Sequence, residues 1–144
     1  MAAYVGYQIG TEVMQEAGNA GTDSWRLILS NTAPNVATHT TAASASELST
    51  GGGYTAGGVA CTITSSAQTA GVFKLTLAAP ASPTWTASGG GFTFRYVILY
   101  NLTNTQCIGY WDYGSAVVMN GTNADTFTPT LDASGGTYTI STPV

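Results

Sequence analysis

The chain has 144 residues, the length of one domain. Charged residues make up only 7% of it, against roughly 25% in a typical domain, so small polar residues supply most of its polarity. The three cations, Arg26, Lys74 and Arg95, are dispersed and the net charge is −4, which argues against the basic stripe that a nucleic-acid backbone requires. No run approaches the roughly 20 apolar residues of a membrane span, and residues 1–10 do not resemble a signal peptide. We therefore expect neither a nucleic-acid partner nor membrane association.

Residues 1–21 are predicted to form an N-terminal arm in front of a single β-domain over residues 22–144. In the arm, Tyr4, Tyr7 and Ile9 are compatible with a short strand. Residues 11–17 (TEVMQEA) predict one or two helical turns, capped by Thr11 and stopped by Gly18.

The first strand of the domain is predicted at residues 25–29 (WRLIL). A long polar stretch follows over residues 31–53, in which residues 42–48 (AASASEL) predict a short helix with Thr40 or Thr41 as its cap.

From residue 59 onward the pattern is that of β-structure, because apolar residues alternate with small polar ones between turn signals. The predicted runs are residues 59–63, 72–77, 92–100, 107–113, 116–119, 126–131 and 138–141. Residues 92–100 (FTFRYVILY) become almost continuously apolar, as in a central strand, and the turn at 101–106 makes a hairpin with the next run. The fold class is therefore all-β: a single-domain antiparallel β-sandwich or jelly roll, with one short helix and the N-terminal arm.

No catalytic, metal or cofactor site is predicted. Residues 51–58 (GGGYTAGG) lack the Lys-Ser/Thr ending of a phosphate-binding loop, so we interpret them as a loop whose glycines adopt positive φ. His39 is the one histidine and lies in a polar stretch without a recognisable nucleophile motif, which favours a solvated loop residue. The acidic residues are scattered, with no pair at metal-ligand spacing.

Three aromatic residues around Asp112 leave two interpretations open. In the first, Tyr110, Trp111 and Tyr113 line a sugar-binding groove with this carboxylate. In the second, the three aromatic residues belong to the core and Asp112 accepts hydrogen bonds at a strand end. The second interpretation is favoured, and Trp25, Trp85 and Trp111 are all expected in the core or an interface.

The two cysteines, Cys61 and Cys107, both lie in apolar strand-like runs. They are interpreted as small buried thiols, with a disulfide as the alternative.

Several segments together resemble a family of small virion proteins of tailed bacteriophages, encoded among head and tail structural genes. The resemblance lies in GYTAGG at residues 53–58, a loop tryptophan at Trp85, RYVILY at residues 95–100, IGYWDYG at residues 108–114, and a last strand at residues 126–131. It spans about residues 25–141. Pro129 departs from the β-forming residues usual in the last motif, which leaves the geometry of that strand open.

The resemblance implies a structural role in a virion and no catalytic residues. The leading hypothesis is a capsid decoration (cement) protein that binds the major capsid protein as a homo-oligomer, with a trimer at local threefold positions expected, on the capsid surface of a virion assembled in the bacterial cytoplasm. Alternatives are a neck, tail or fibre component, a carbohydrate-binding host-attachment module, and a hydrolase.

Overall fold

The computed structural model describes residues 2–10, 14, 18–79 and 82–141. Ten strands account for most of the regular structure, and residues 8–10 and 14 are helical. The strands are β1 (Tyr4–Gly6), β2 (Trp25–Ser30), β3 (Val59–Ala60), β4 (Thr62–Thr69), β5 (Val72–Ala78), β6 (Trp85–Thr86), β7 (Phe92–Asn101), β8 (Gln106–Met119), β9 (Thr126–Phe127) and β10 (Tyr138–Ser141).

The strands form antiparallel sheets that pack together. A five-stranded sheet has the order β1-β8-β7-β2-β3, a three-stranded sheet the order β10-β5-β4, and β6 pairs with β9. This confirms the predicted all-β, single-domain antiparallel sandwich with one short helix. The long central hairpin of β7 and β8 is also confirmed, with its turn at residues 102–105.

The main core lies between the two larger sheets. Leu27 and Leu29 of β2 and Leu99 of β7 point inward and pack in one cluster with Leu75 and Leu77 of β5, and all five are at most 2% exposed. Alternate residues of a strand point to opposite faces, so this core uses only half of each central strand.

The outer face of the five-stranded sheet is also buried. Ile28, Ile98 and Cys107 lie there in a second cluster with Tyr7 and Ala45. Residues 31–48, which we call the cover segment, lie over this face. Burial on both sides explains why residues 92–100 read as an almost continuous apolar run.

Hydrogen bonds fasten the cover segment to the sheet. The Ser30 hydroxyl donates to the Ala45 carbonyl at 2.8 Å, and the Cys107 N–H donates to the Thr40 carbonyl at 2.7 Å. The N-terminal residues join in, because the Gln8 N–H donates to the Val36 carbonyl at 3.0 Å.

The helix predicted at residues 42–48 is wrong, since these residues form turns and a bridge. Thr41 does cap the first turn, where its Oγ1 accepts the Ser44 N–H at 3.2 Å. Ser46 then adopts φ 54°, a left-handed conformation that ends helical geometry, and the Ser30 hydroxyl binds the Ser46 carbonyl at 2.9 Å. Docking onto the sheet therefore prevails over local helix propensity.

Other strand boundaries also differ from the prediction. The run at residues 59–63 is divided at Cys61, where the chain leaves the five-stranded sheet for the three-stranded one, and β4 continues to Thr69. Strand β8 includes the run predicted separately at residues 116–119, whereas β9 ends at Phe127, two residues before Pro129. The predicted helical turns at residues 11–17 lie outside the described residues, except for Met14, which is helical and buried.

Gly58 offers a test of this packing. Its φ is +62°, and a Cβ there would collide with the Leu27 carbonyl oxygen and approach Ile28 Cγ2 to 2.8 Å. We expect Gly58→Ala to lower the free energy of unfolding by about 1–3 kcal/mol, as measured by urea denaturation. The matched control is Gly90→Ala, where a Cβ meets nothing within 4 Å, and its effect should stay within about 0.5 kcal/mol. Equal midpoints for the two variants would contradict the described loop geometry.

Candidate functional site

Asp112 is held by an arginine that the sequence did not indicate as its partner. Arg95 Nε donates to Asp112 Oδ1 at 2.8 Å and Arg95 Nη2 donates to Oδ2 at 2.9 Å, a bidentate pair between β7 and β8. The Gly114 N–H donates to Oδ1 at 2.7 Å. The hydrogen bond from Arg95, followed by that from Gly114, lowers the pKa of Asp112 below its usual value. The carboxylate thus accepts hydrogen bonds, as the favoured interpretation expected, but it lies in the middle of β8 beside a shift in the register with β7, and not at a strand end.

The three aromatic residues beside Asp112 do not share one face of the sheet. The Tyr110 ring packs against Tyr7 at 5.7 Å in the outer cluster. Trp111 is only 7% exposed and belongs to the inner core, where Tyr113 also packs with its ring 5.4 Å from that of Phe127. Alternation along β8 causes this division, so the three rings do not form a common stacking platform.

The other two tryptophans are core residues, as expected. Trp25 is 1% exposed, and its Nε1 donates to the Ala20 carbonyl at 3.1 Å. Trp85 is 4% exposed and stacks on Phe127 with ring centres 5.9 Å apart.

His39 is half-buried on the cover segment, where its Nδ1 accepts the Asn35 N–H at 3.2 Å. Within the described ranges, no group of three or more His, Cys, Asp or Glu side chains is arranged to hold a metal ion. Cys61 and Cys107 are both free, and burial raises the pKa of each thiol to about 12. They pack against clusters on opposite faces of the large sheet, which explains why they do not pair.

The glycine-rich loop at residues 51–58 has the predicted conformation. Gly52, Gly53, Gly57 and Gly58 all adopt positive φ, between 62° and 104°. Between them, Tyr54 enters the core at 1% exposure.

Two ionisable side chains fasten this loop to the sheet. Glu47 Oε1 accepts the Tyr54 hydroxyl and the Gly57 N–H, each at 2.6 Å. Arg26 Nη1 donates to the Gly57 carbonyl at 2.8 Å. Burial, and then the bond to Glu47, raises the pKa of Tyr54 well above its ordinary value. The loop is as rich in glycine as a phosphate-binding loop, but its Gly57 N–H binds the Glu47 carboxylate of the same chain.

Charged side chains elsewhere in the described residues also hydrogen-bond to other parts of the chain. Asp23 accepts Asn101 Nδ2 at 2.7 Å, Asp125 accepts the Asn120 N–H at 2.8 Å, and Lys74 Nζ donates to the Ser134 carbonyl at 3.3 Å. Every Asp, Glu, Lys and Arg side chain on the described residues bonds to another part of this chain: Asp23, Arg26, Glu47, Lys74, Arg95, Asp112, Asp125 and Asp132. The charges thus serve to fasten loops.

The exposed residues of the cover segment carry no charge. On the cover segment the exposed residues are short and uncharged, and include Ala33, Ala37, Thr38, Ala43 and Ser44. We call these five residues the neutral patch. Short side chains lose little conformational entropy when they are covered, which suits contact with another protein.

A cleft of about 440 Å³ lies between β1 and residues 132–139. No pattern in the sequence predicted this cleft. Tyr4, Trp111, Asp132 and Tyr138 are among its lining residues. Asp132 accepts the N–H groups of Ser134 and Gly135 at 2.9 and 2.6 Å, so its carboxylate is already engaged. The described lining contains no cysteine or histidine, and hence no Cys–His pair for nucleophilic catalysis.

Comparisons of the chain with models of protein families, with curated protein sequences and with solved structures found no match. No helix within the described residues has the length and apolar character needed to cross a membrane.

Trp111 distinguishes a core role from a ligand-binding role. We expect Trp111→Ala to lower the free energy of unfolding by about 3–5 kcal/mol, because truncating a buried tryptophan leaves a cavity. The control is Val118→Ala, at a side chain that is 69% exposed, with an expected change within about 0.5 kcal/mol. If Trp111→Ala had the wild-type unfolding midpoint in urea but lost binding to a glycan, the core assignment would fail.

The ion pair between Arg95 and Asp112 predicts a pH dependence. The pKa of Asp112 is lowered in the folded state, so the stabilisation is complete above the unfolded-state pKa and is lost as pH falls through the folded-state pKa. Arg95→Gln should raise the pKa of Asp112 part of the way to its ordinary value, since the bond from Gly114 remains. Carboxyl ¹³C NMR titration would measure this shift. Arg26→Gln serves as the control and should leave the Asp112 titration unchanged.

Proposed function

We propose that this chain is a structural protein of a tailed-bacteriophage particle, and specifically a capsid decoration (cement) protein. In this role it binds the outer surface of the major capsid protein shell and stabilises it. The observation that carries the proposal is the scarcity and internal bonding of charge: the few described ionisable side chains hydrogen-bond within the chain, and the exposed residues of the cover segment are short and uncharged. Such a surface suits binding by shape and contact area.

The resemblance to small virion proteins supports the same role. The segments that carry it are joined to one another in the fold: Tyr54 of GYTAGG contacts Trp85, with ring centres 6.4 Å apart, and Arg95 of RYVILY pairs with Asp112 of IGYWDYG. These motif residues build the core and fasten its loops. The motifs behind the resemblance therefore concern the residues that hold the fold together more than a binding site, which agrees with a structural protein.

The mechanism is many weak contacts repeated over a symmetric shell. The sandwich serves as a rigid body, and the neutral patch together with the N-terminal segment contacts neighbouring capsid subunits. A homo-oligomer, expected as a trimer at local threefold positions, would present several copies of this surface at once, so that the contacts add as multivalent binding. Attachment without charged contacts should also tolerate salt.

Purified protein mixed with capsids that lack it provides the test. We expect it to bind in many copies over the shell, as seen by cryo-electron microscopy. Binding should persist at about 1 M salt, where the Debye length falls to about 3 Å. Density only at the portal, neck or tail would replace the decoration role with that of a neck or tail component.

Variants of the neutral patch sharpen this experiment. Ala37→Glu and Ala43→Glu each place a charge in the proposed contact, and both should weaken capsid binding. The matched control is Thr122→Glu, which places the same charge at an exposed position outside the cover segment. Equal binding by all three variants would exclude the neutral patch from the interface.

A further inference from the structure

Strand β4 is a long edge strand with one open side. It lies at the margin of the three-stranded sheet and pairs with β5 from Thr62 to Thr69. Residues 64–69 are all exposed. Among the described residues, no backbone hydrogen bond outside this sheet involves the strand. Gly21 lies against the Ser66 side chain, but none of the described residues hydrogen-bonds to the outer row of N–H and C=O groups, which is therefore available to a further strand.

The other edge strands are short, which is one way in which proteins prevent unwanted pairing. Strand β1 has three residues, β3 has two, and β10 has four. Strand β4 has eight residues (TITSSAQT) and lacks the lysine, proline or inward-pointing charge that usually protects an edge of this length. Its irregularity lies between Ile63 and Ser65, which leaves residues 65–69 in regular pairing geometry.

We propose that β4 pairs antiparallel with β4 of a second copy of this chain, which joins two three-stranded sheets into one six-stranded sheet. A second copy fits because the strand carries no charge, so self-apposition places no like charges opposite each other. Ser and Thr side chains facing each other across the pair can also hydrogen-bond. The inference does not depend on the proposed role in a virion.

The symmetry of this contact identifies a residue with which to test it. Antiparallel pairing of identical strands places a two-fold axis normal to the sheet, so residues on one face meet residues of the same face. Ser66 lies opposite Leu75, a core residue, and therefore faces inward, whereas Ser65 lies opposite Thr76 on the other face. In pairings centred near the middle of the strand, Ser65 meets Ser65 or Ala67 of the second copy. Ser65 is exposed and has no charged partner across its own hairpin, which makes it the position to change.

The experiment is analytical ultracentrifugation of the purified full chain over a range of concentrations. The wild-type protein should show a reversible, concentration-dependent doubling of its mass, from chain to dimer or from the trimer proposed above to a pair of trimers. Ser65→Glu and Ser65→Lys should each weaken this association several-fold, because each places like charges across the two-fold axis. An equimolar mixture of the two variants should recover association, since opposite charges then face each other. Thr86→Glu, at an exposed residue of β6, is the matched control and should associate like wild type.

The mixture separates a β4–β4 contact from simple damage to the fold, because misfolded variants would not recover on mixing. Urea denaturation of each Ser65 variant provides a direct check of folding. The proposal is overturned if the mass of the wild-type protein does not double at any concentration, if both Ser65 variants associate as tightly as wild type, or if the mixture fails to recover. If the chains associated through a different surface, both Ser65 variants would associate as tightly as wild type. Failure to bind capsids would leave the ultracentrifugation result unaffected, so the two proposals can fail separately.

Discussion

Burial of the central strands on both faces is the constraint on which the rest of the structure depends. Strand β2 contributes Leu27 and Leu29 to the inner core and Ile28 to the outer cluster, and each is fully buried. A sheet of this kind is stable only when something covers each side, because exposed apolar area costs roughly 25 cal/mol per Å². The three-stranded sheet covers one side, and the cover segment with Tyr7 covers the other. The polar stretch that contains the cover segment thus has a structural role, since it buries the outer face of the large sheet.

Scarcity of charge connects this architecture to the proposed role. Polar loops that lie on an apolar sheet need partners for their backbone groups, because an unpaired buried group costs about 1–3 kcal/mol. Glu47 and Arg26 supply such partners to the N–H and the carbonyl of Gly57, and Asp23 accepts a hydrogen bond from the distant Asn101 side chain. The few ionisable side chains thereby hydrogen-bond within the chain, and most of the exposed residues are uncharged. A neutral exterior repels other copies weakly, which favours a protein that functions in an assembly.

The strands with strong local patterns were predictable and the weakly patterned elements were not. The hairpin of β7 and β8 follows from β-branched and aromatic residues on either side of a polar turn. Residues 64–69 were missed because they are small or polar on both faces of β4 and show no apolar period. Residues 42–48 have the composition of a helix, yet the hydroxyl of Ser30 binds two of their carbonyls and Ser46 turns left-handed. For the candidate site, the sequence indicated Asp112 but not its partner Arg95, because their pairing depends on the register of two strands.

The all-β class, the central hairpin, the positive-φ glycine loop and the burial of the three tryptophans, in the core or an interface, follow from the amino-acid sequence. These features depend on side-chain period, turn residues and burial preference, which are local properties of the chain. The fold was needed to show which face each aromatic of β8 occupies, which loop each charge fastens, where the cover segment lies and which strand edge remains open. Those outcomes depend on the order and register of strands that are far apart in the sequence, and short-range patterns do not contain that information.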